Sequence, residues 1–430
     1  MVEAGSIILG VVAILSALFR AFLKPKFDQA GIFRVGTNRN NEHCTTIGLE
    51  ACEDIWVDQP SGLAYLACST RTQRRYWETG MGILELSILV FQFFERVFQR
   101  RLAEKLPLRS LDHVTILDLK THEHRKVELV NLPPRLVESG IYVHGFDLFV
   151  TSDDPNENSD RNQMEFPEGS ASHQSGSRRA TIYLINHLPP SDRKSAPLVG
   201  AQSVIEVFDT VLGDSKATYR TTIEHDLILT PNNLVGISET GFYVTNDHSS
   251  KTAWIDSIIF CSFKDELNCL PAVSGKHPHP NGIAKGPGDS IYMVTSYDPF
   301  LRVFEMQADH TLALTDELKL PRVADNIYVT PKGSVFIAGI PSLYRFKKRI
   351  MGMQEDNFDI LSPSDVWRVS NETGTDAFYG GRLKVEQVFA DDGNQISGGT
   401  GVAVWNSKIY LTGLASPHIL VCEIDEELAQ

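Results

Sequence analysis

A hairpin pattern that returns six times constrains this chain more than any other feature of its sequence. The copies are DIWVDQPSGLAYLACS from Asp54, GFDLFVTS from Gly145 with its partner ATIYLINH, and NLVGISETGFYVTND from Asn233. The remaining three are NGIAKGPGDSIYMVTS from Asn281, NIYVTPKGSVFIAG from Asn326 and TGVAVWNSKIYLTG from Thr400. Each opens on a polar or glycine step, runs through an alternating apolar strand, turns, and returns through β-branched and aromatic residues. Where the chain is compact the copies recur every 45 to 50 residues or so, about the period of a four-stranded sheet repeated radially. The pattern predicts an all-β fold, a six-bladed β-propeller; a β-sandwich fits six matched hairpins less well.

Longer gaps coincide with insertions at 70–107 and 152–180, the second polar and poor in apolar residues. The propeller is expected over 27–430, after a hydrophobic segment in 1–26. There SIILGVVAILSALFRAFL (6–23) is a nearly continuous apolar run, about long enough to cross a bilayer. No small-residue cleavage site follows it, so an uncleaved signal anchor is expected. Arg20, Lys24 and Lys26 follow the run and Glu3 precedes it, a bias that opposes a lumenal body by the positive-inside rule. Other features favour the secretory pathway, with a membrane-anchored or secreted propeller. Cys44 lies just before the first repeat and Cys422 in the last strand, positions at which one disulfide would close a ring. Asn371-Glu372-Thr373 is a glycosylation sequon. Within the first insertion, 81–106 reads as an amphipathic helix with Gln92, Glu95, Arg96, Gln99 and Arg100 opposite Ile88, Phe91, Phe94, Val97 and Phe98. A lid over the propeller mouth and a helix lying on a membrane both fit it.

The formal charge of −14 and the absence of a basic stripe argue against nucleic acid as a partner. What opens the repeats is more informative. Inner strands of a propeller line its axis, so residues at the same place in each hairpin converge. The openings are Glu53-Asp54, Asn232-Asn233, Asn281-Gly282 and Asp325-Asn326. Side-chain oxygens of Asp, Glu and Asn suit calcium, which takes about six to eight oxygen ligands. They suit zinc poorly, and no Cys or His pairing with structural-zinc spacing occurs. Each residue alone could simply cap a turn; carboxylates converging on one axis are costly to bury without a cation. There is no G-x-S-x-G elbow and no Walker loop, which disfavours covalent serine chemistry. His144 and His187 sit at strand ends that should face one end of the channel, where a histidine can act as a base toward water. A lone histidine there is more often structural.

Taken in order, these stretches resemble the serum paraoxonase/arylesterase family over roughly 40–69, 111–151 and 181–425. The matching residues are Glu53-Asp54 before PSGLAYL, His144-Gly145, Asn186-His187, PNN with FYVTNDH at 231–248, Asn281 in NGI, Asp325 in DNI, and VCEI around Cys422. The resemblance implies two calcium ions. One would be held by Glu53, Asn232, Asn281, Asp325 and Asn326, and a deeper one by Asp54, Asn233 and the backbone carbonyl of Phe146. It implies a His144–His187 dyad, a Cys44–Cys422 disulfide and a retained N-terminal anchor. Asn233 stands where the family has aspartate, Ile340 replaces a histidine near the pocket, and the 70–107 insertion rebuilds the loop that carries a family tyrosine.

The activity implied is calcium-dependent hydrolysis of lactones and aryl esters, with calcium polarising the carbonyl and His144 activating water while His187 relays its proton. Glu53 or Asp325 could serve as base instead. Membrane contact is expected through the N-terminal helix and the 81–106 helix. A non-catalytic, calcium-stabilised propeller that binds a partner or lipid is the main rival. A condensing enzyme of the strictosidine-synthase-like kind shares the architecture without needing the ring of Asn and Asp.

Overall fold

The six hairpins pair as their turns dictate. In the computed structural model they become the two inner strands of six antiparallel sheets that follow one another in chain order. The inner strands are Ile55–Asp58, Val143–Thr151, Pro231–Ser238, Pro280–Lys285, Val323–Val329 and Gly401–Trp405. Each touches the next, and the last touches the first, so the sheets are blades around one axis. The fold is the six-bladed β-propeller that the repeats predict. The structure describes residues 17, 19–77, 109–151, 178–190, 192, 201–247, 257–275, 277, 279–296, 298–354, 357–372 and 383–429.

Blades 1, 3, 4 and 5 are four-stranded meanders, and blade 2 carries a fifth strand, Glu128–Val130, parallel to its edge. Blade 6 is completed from the other end of the chain. Cys44–Ile47 adds as its outermost strand, with Cys44 opposite Cys422 and a disulfide between them. The bond closes a sequence separation of 378 residues, and cross-linking so long a loop stabilises by on the order of 5 kcal/mol through the entropy of the unfolded chain. Two further disulfides, Cys52–Cys68 and Cys261–Cys269, lie inside blades 1 and 3. The apolar faces meet between neighbouring blades. Tyr65 and Ile116 of blade 1, for example, pack with Phe146, Leu148 and Ile182 of blade 2, each worth about 1.5–3 kcal/mol when fully buried.

Four inner strands share an irregularity that positions the site. The pairing with the second strand slips between Val143 and Phe146, between Pro231 and Leu234, between Pro280 and Ile283, and between Ala324 and Ile327. A bulge of this kind takes residues off the ladder and re-aims their side chains. The residues released are His144-Gly145, Asn232-Asn233, Asn281-Gly282 and Asp325-Asn326. Blade 1 does the same, since Ala67 faces both Glu53 and Asp54. Blade 6 pairs regularly from Gly401 onward and contributes no acid or amide at that level.

Most of the apolar run at 6–23 and all of the 81–106 helix lie outside the described residues. What is described of the first is a π-helical turn, Phe19–Leu23, continuing into a helix at Lys24–Gln29. No helix among the described residues is long and apolar enough to cross a membrane. The first insertion begins with a helix, Arg71–Trp77. The second ends earlier than its composition suggests, because Arg179 and Ala180 already belong to the strand Arg179–Leu188.

Candidate functional site: an oxygen-lined channel beside a histidine pair

The bulged openings meet at the axis. Glu53, Asp54, Asn232, Asn233, Asn281, Asp325 and Asn326 are all buried, none more than 9% exposed. The strands approach so closely that two positions tolerate only glycine. A Cβ on Gly145 would lie 2.6 Å from the Asn232 carbonyl oxygen, and one on Gly282 2.6 Å from that of Asp325. The disulfide partner Cys52 directly precedes Glu53 and pins the blade 1 opening.

Amides bridge the blades. Asn233 Nδ2 donates to Asn326 Oδ1 at 2.7 Å and to Asp54 Oδ2 at 3.1 Å. Asn326 Nδ2 donates to Glu53 Oε1 at 2.8 Å. Thr400 of blade 6 donates its hydroxyl to the Glu53 carbonyl at 2.8 Å, and its own carbonyl accepts the Asn326 N–H at 2.9 Å. Phe146 meets Asp54 through its backbone N–H. Among the described residues, Glu53 Oε2, Asn232 Oδ1 and Asn281 Oδ1 are buried without a hydrogen-bond partner. They come from three blades and all belong to the expected ligand set. Burial foremost, then the charges of Asp54 and Asp325, push Glu53 well above the carboxylate range. Burial likewise raises Asp54 and Asp325 to about 7. Enclosed oxygen atoms that lack a donor fit a hard cation such as calcium. No group of three His, Cys, Asp or Glu side chains among the described residues forms a metal cluster, so the fit depends on the asparagines.

His144 and His187 come together beside these oxygens. His144 Nδ1 lies 2.9 Å from His187 Nε2, and His187 Nδ1 lies 2.7 Å from Ser203 Oγ. His144 Nε2 lies 3.8 Å from Glu53 Oε1. Burial first, and His187 second, hold His144 well below the imidazole range, and burial lowers His187 to about 4. Two neutral rings share one proton between His144 Nδ1 and His187 Nε2, and two tautomer sets satisfy the contacts. In one, His144 Nδ1–H donates to His187 Nε2 and His187 Nδ1–H to Ser203; in the other, the Ser203 hydroxyl donates to His187 Nδ1, His187 Nε2–H donates to His144 Nδ1, and His144 Nε2–H points toward Glu53. Ser203 gives no signal in the sequence, since only the pairing of His187 with Ser203 across two strands brings it near. Ile340, where the resembled family has histidine, is buried with Val323 and Leu343. Asn371, in the sequon, is exposed at the end of Ser364–Asn371.

Comparison with known proteins gives the relationship. Residues 198–424, more than half of the chain, match the family model described as Arylesterase. Serum paraoxonase/arylesterase 2 of Gallus gallus is 25% identical over 232 residues, covering 52% of this chain and 62% of that protein. Serum paraoxonase/arylesterase 1 of Homo sapiens is 26% identical over 239 residues, with the same 52% and 62% coverage. The matched region thus spans about three fifths of the length of these two relatives. A solved gluconolactonase from Xanthomonas campestris covers 91% of this chain and 94% of its own at a TM-score of 0.45 and 10% identity, a likeness too distant to carry weight. By its matched residues this chain belongs to the arylesterase family.

Proposed function

We propose that this chain is a calcium-dependent hydrolase of lactones and aryl esters. The observation that carries the reading is the placement of His144 Nε2, 3.8 Å from Glu53 Oε1 and beside buried oxygens that lack a donor. Glu53, Asn232, Asn281, Asp325 and Asn326 would hold one calcium ion, and Asp54, Asn233 and the Phe146 carbonyl a second. The chemistry calcium supplies when bound is charge that polarises a substrate carbonyl and steadies the oxyanion it becomes. Asn233 brings a neutral amide to the second set, and its Nδ2 is engaged by Asp54 and Asn326, so that set offers less negative charge than the first.

His144 Nε2 takes a proton from water as the water oxygen bonds to the carbonyl carbon. When the tetrahedral adduct collapses, the acyl C–O bond breaks and the same proton passes to the departing oxygen. In a lactone both products stay on one chain, so ring opening asks little of the leaving group. In the tautomer that serves as base, His144 Nδ1–H donates to His187 Nε2, which leaves His144 Nε2 as the basic atom, and Ser203 Oγ, 2.7 Å from His187 Nδ1, fixes His187. Relatives that carry the names arylesterase and lactonase support this substrate class. Three disulfides support an oxidising compartment, secreted or membrane-anchored, with Asn371 available as a glycan acceptor. Membrane contact through 6–23 and 81–106 belongs to the same proposal.

The test is hydrolysis of a lactone panel and phenyl acetate by the full chain with calcium, after chelation, and after calcium is restored. Activity that disappears and returns is the expected result. A folded, calcium-loaded chain that turns over none of these substrates leaves the non-catalytic propeller as the better reading.

A further inference from the structure

The helix Arg71–Trp77 follows the second strand of blade 1, Leu63–Cys68, and its Arg74 is fully buried. Arg74 Nη1 donates to the carbonyl of Val143, the residue before His144. Its Nη2 donates to the carbonyl of Ala67 at 3.3 Å, and that carbonyl also receives the Glu53 N–H at 2.9 Å. The guanidinium lies 3.7 Å from Asp112 Oδ2, with both side chains enclosed. Asp112 Oδ2 accepts the Val143 N–H at 3.0 Å, and Oδ1 accepts the Ser69 hydroxyl. Both backbone groups of Val143 therefore end on one buried ion pair of the neighbouring blade.

The ladder explains why that matters. Val143 pairs with Asn186, then the register slips and pairing resumes only at Phe146, so His144 and Gly145 hang between two fixed points. One residue earlier, Tyr142 is held within blade 2, its N–H by Asn186 Oδ1 at 2.9 Å and its carbonyl by the His187 N–H at 3.0 Å. Val143 is the point at which blade 1 takes over. A single guanidinium thus grips the carbonyl that holds Glu53 and the carbonyl that precedes His144. Its planar fork spans two acceptors at fixed separation, which a lysine ammonium on a flexible stem does not reproduce.

We propose that Arg74 and Asp112 are a positioning pair which sets His144 relative to His187 and Glu53 from the adjacent blade. Their weight in turnover rests on the reading of His144 as the base; their effect on the ring geometry does not. Arg74 comes from the start of the first insertion and Asp112 from the strand connection after it, so one half of the grip on His144 belongs to the segment in which this chain departs from the resembled family.

The experiment uses the full chain labelled with 15N-histidine. The ring proton shared by His144 and His187 is expected as a downfield, slowly exchanging resonance, identified by its loss in His187→Gln. In Arg74→Met and Asp112→Asn it should shift and exchange faster. With phenyl acetate, kcat should fall about 100-fold while KM stays within about twofold, the cost of a small misplacement of a reacting group. Arg74→Lys keeps the charge without the fork and should behave like Arg74→Met; full recovery of both readouts in Arg74→Lys would assign the effect to charge and overturn the proposal. An unchanged resonance in folded Arg74→Met or Asp112→Asn also overturns it. If those variants do not fold, Ser69→Ala removes only the hydroxyl on Asp112 Oδ1, and the same resonance must exchange faster than in the unaltered chain or the proposal fails. A resonance that responds in a chain that hydrolyses nothing upholds the positioning pair and removes the hydrolase reading alone.

Discussion

Asp58 and Asp325 are enclosed aspartates on inner strands of different blades, and the fold treats them in opposite ways. Asp58 ends the inner strand of blade 1 and receives Arg178 as a fork, Nη1 to Oδ1 at 2.8 Å and Nη2 to Oδ2 at 2.5 Å. The Ser61 hydroxyl donates to it as well. Asp325 lies in the opening of the blade 5 strand, has the Asn281 amide as its hydrogen-bond donor, and shares its surroundings with the charge of Asp54. One carboxylate carries its cation on the chain. The other sits beside Asn281, whose side-chain oxygen has no donor among the described residues. A buried charge must find an opposite charge or hydrogen bonds to persist as a charge, so the two regions should answer differently to what is dissolved around them.

The largest separation is expected on binding. A ligand that binds only the folded state stabilises it by about 2.7 kcal/mol at a concentration near 100 times its Kd. Calcium should therefore raise the thermal midpoint of the chain. Asn281→Ala removes an unpartnered oxygen, and Glu53→Gln removes a charge; both should erase most of that rise and lower hydrolysis by about 100-fold or more. A calcium-dependent midpoint that survives both substitutions would place the ion elsewhere.

Arg178→Met breaks the other arrangement. It leaves Asp58 enclosed with Ser61 as its remaining partner, and orphaning a buried carboxylate costs about 3 kcal/mol. The loss should be the same with calcium and with chelator, measured as the shift in urea midpoint. A loss that calcium repairs would mean that the Asp58 region and the axis are not independent.

The same contrast separates what could be read along the chain from what could not. The blades were legible because alternation, turn and return strand recur six times, and Cys44 opposite Cys422 follows from closing the ring. The identity of the channel residues was legible because Asn and Asp open successive copies. Their orientation was not. A bulge changes the pairing without changing a residue type, and only the slipped registers reveal that Asn232, Asn281 and Asp325 leave the ladder. Arg178 and Arg74 were invisible for a related reason. Each meets a partner from a neighbouring blade, and Arg178 follows a polar insertion whose composition carries no register. Cys261 and Cys269 offered a signal that was not used: they flank a tight turn with eight residues of separation and are cross-strand neighbours.

Asp365 of blade 5 tests the middle of this range, and its effect should be the smallest. Its carboxylate has a cation near it, Arg322 Nε at 3.3 Å from Oδ2, yet burial outweighs that charge and raises it to about 6. The ordinary value for the unfolded chain is 3.8. With the folded value higher, the folded state binds the proton more tightly, so this group favours folding at low pH and that contribution is lost as pH rises through the folded value. Between about pH 4 and pH 6 the change is on the order of 2 kcal/mol, opposite in sign to ordinary acid denaturation. Asp365→Asn should remove it, so the difference in urea midpoint between Asp365→Asn and the unaltered chain should move in favour of the variant as pH rises across that window. A difference that stays flat would mean that Arg322 neutralises Asp365 as fully as Arg178 neutralises Asp58. Of Asp58, Asp365 and Asp325, the last alone would then depend on a cation from outside.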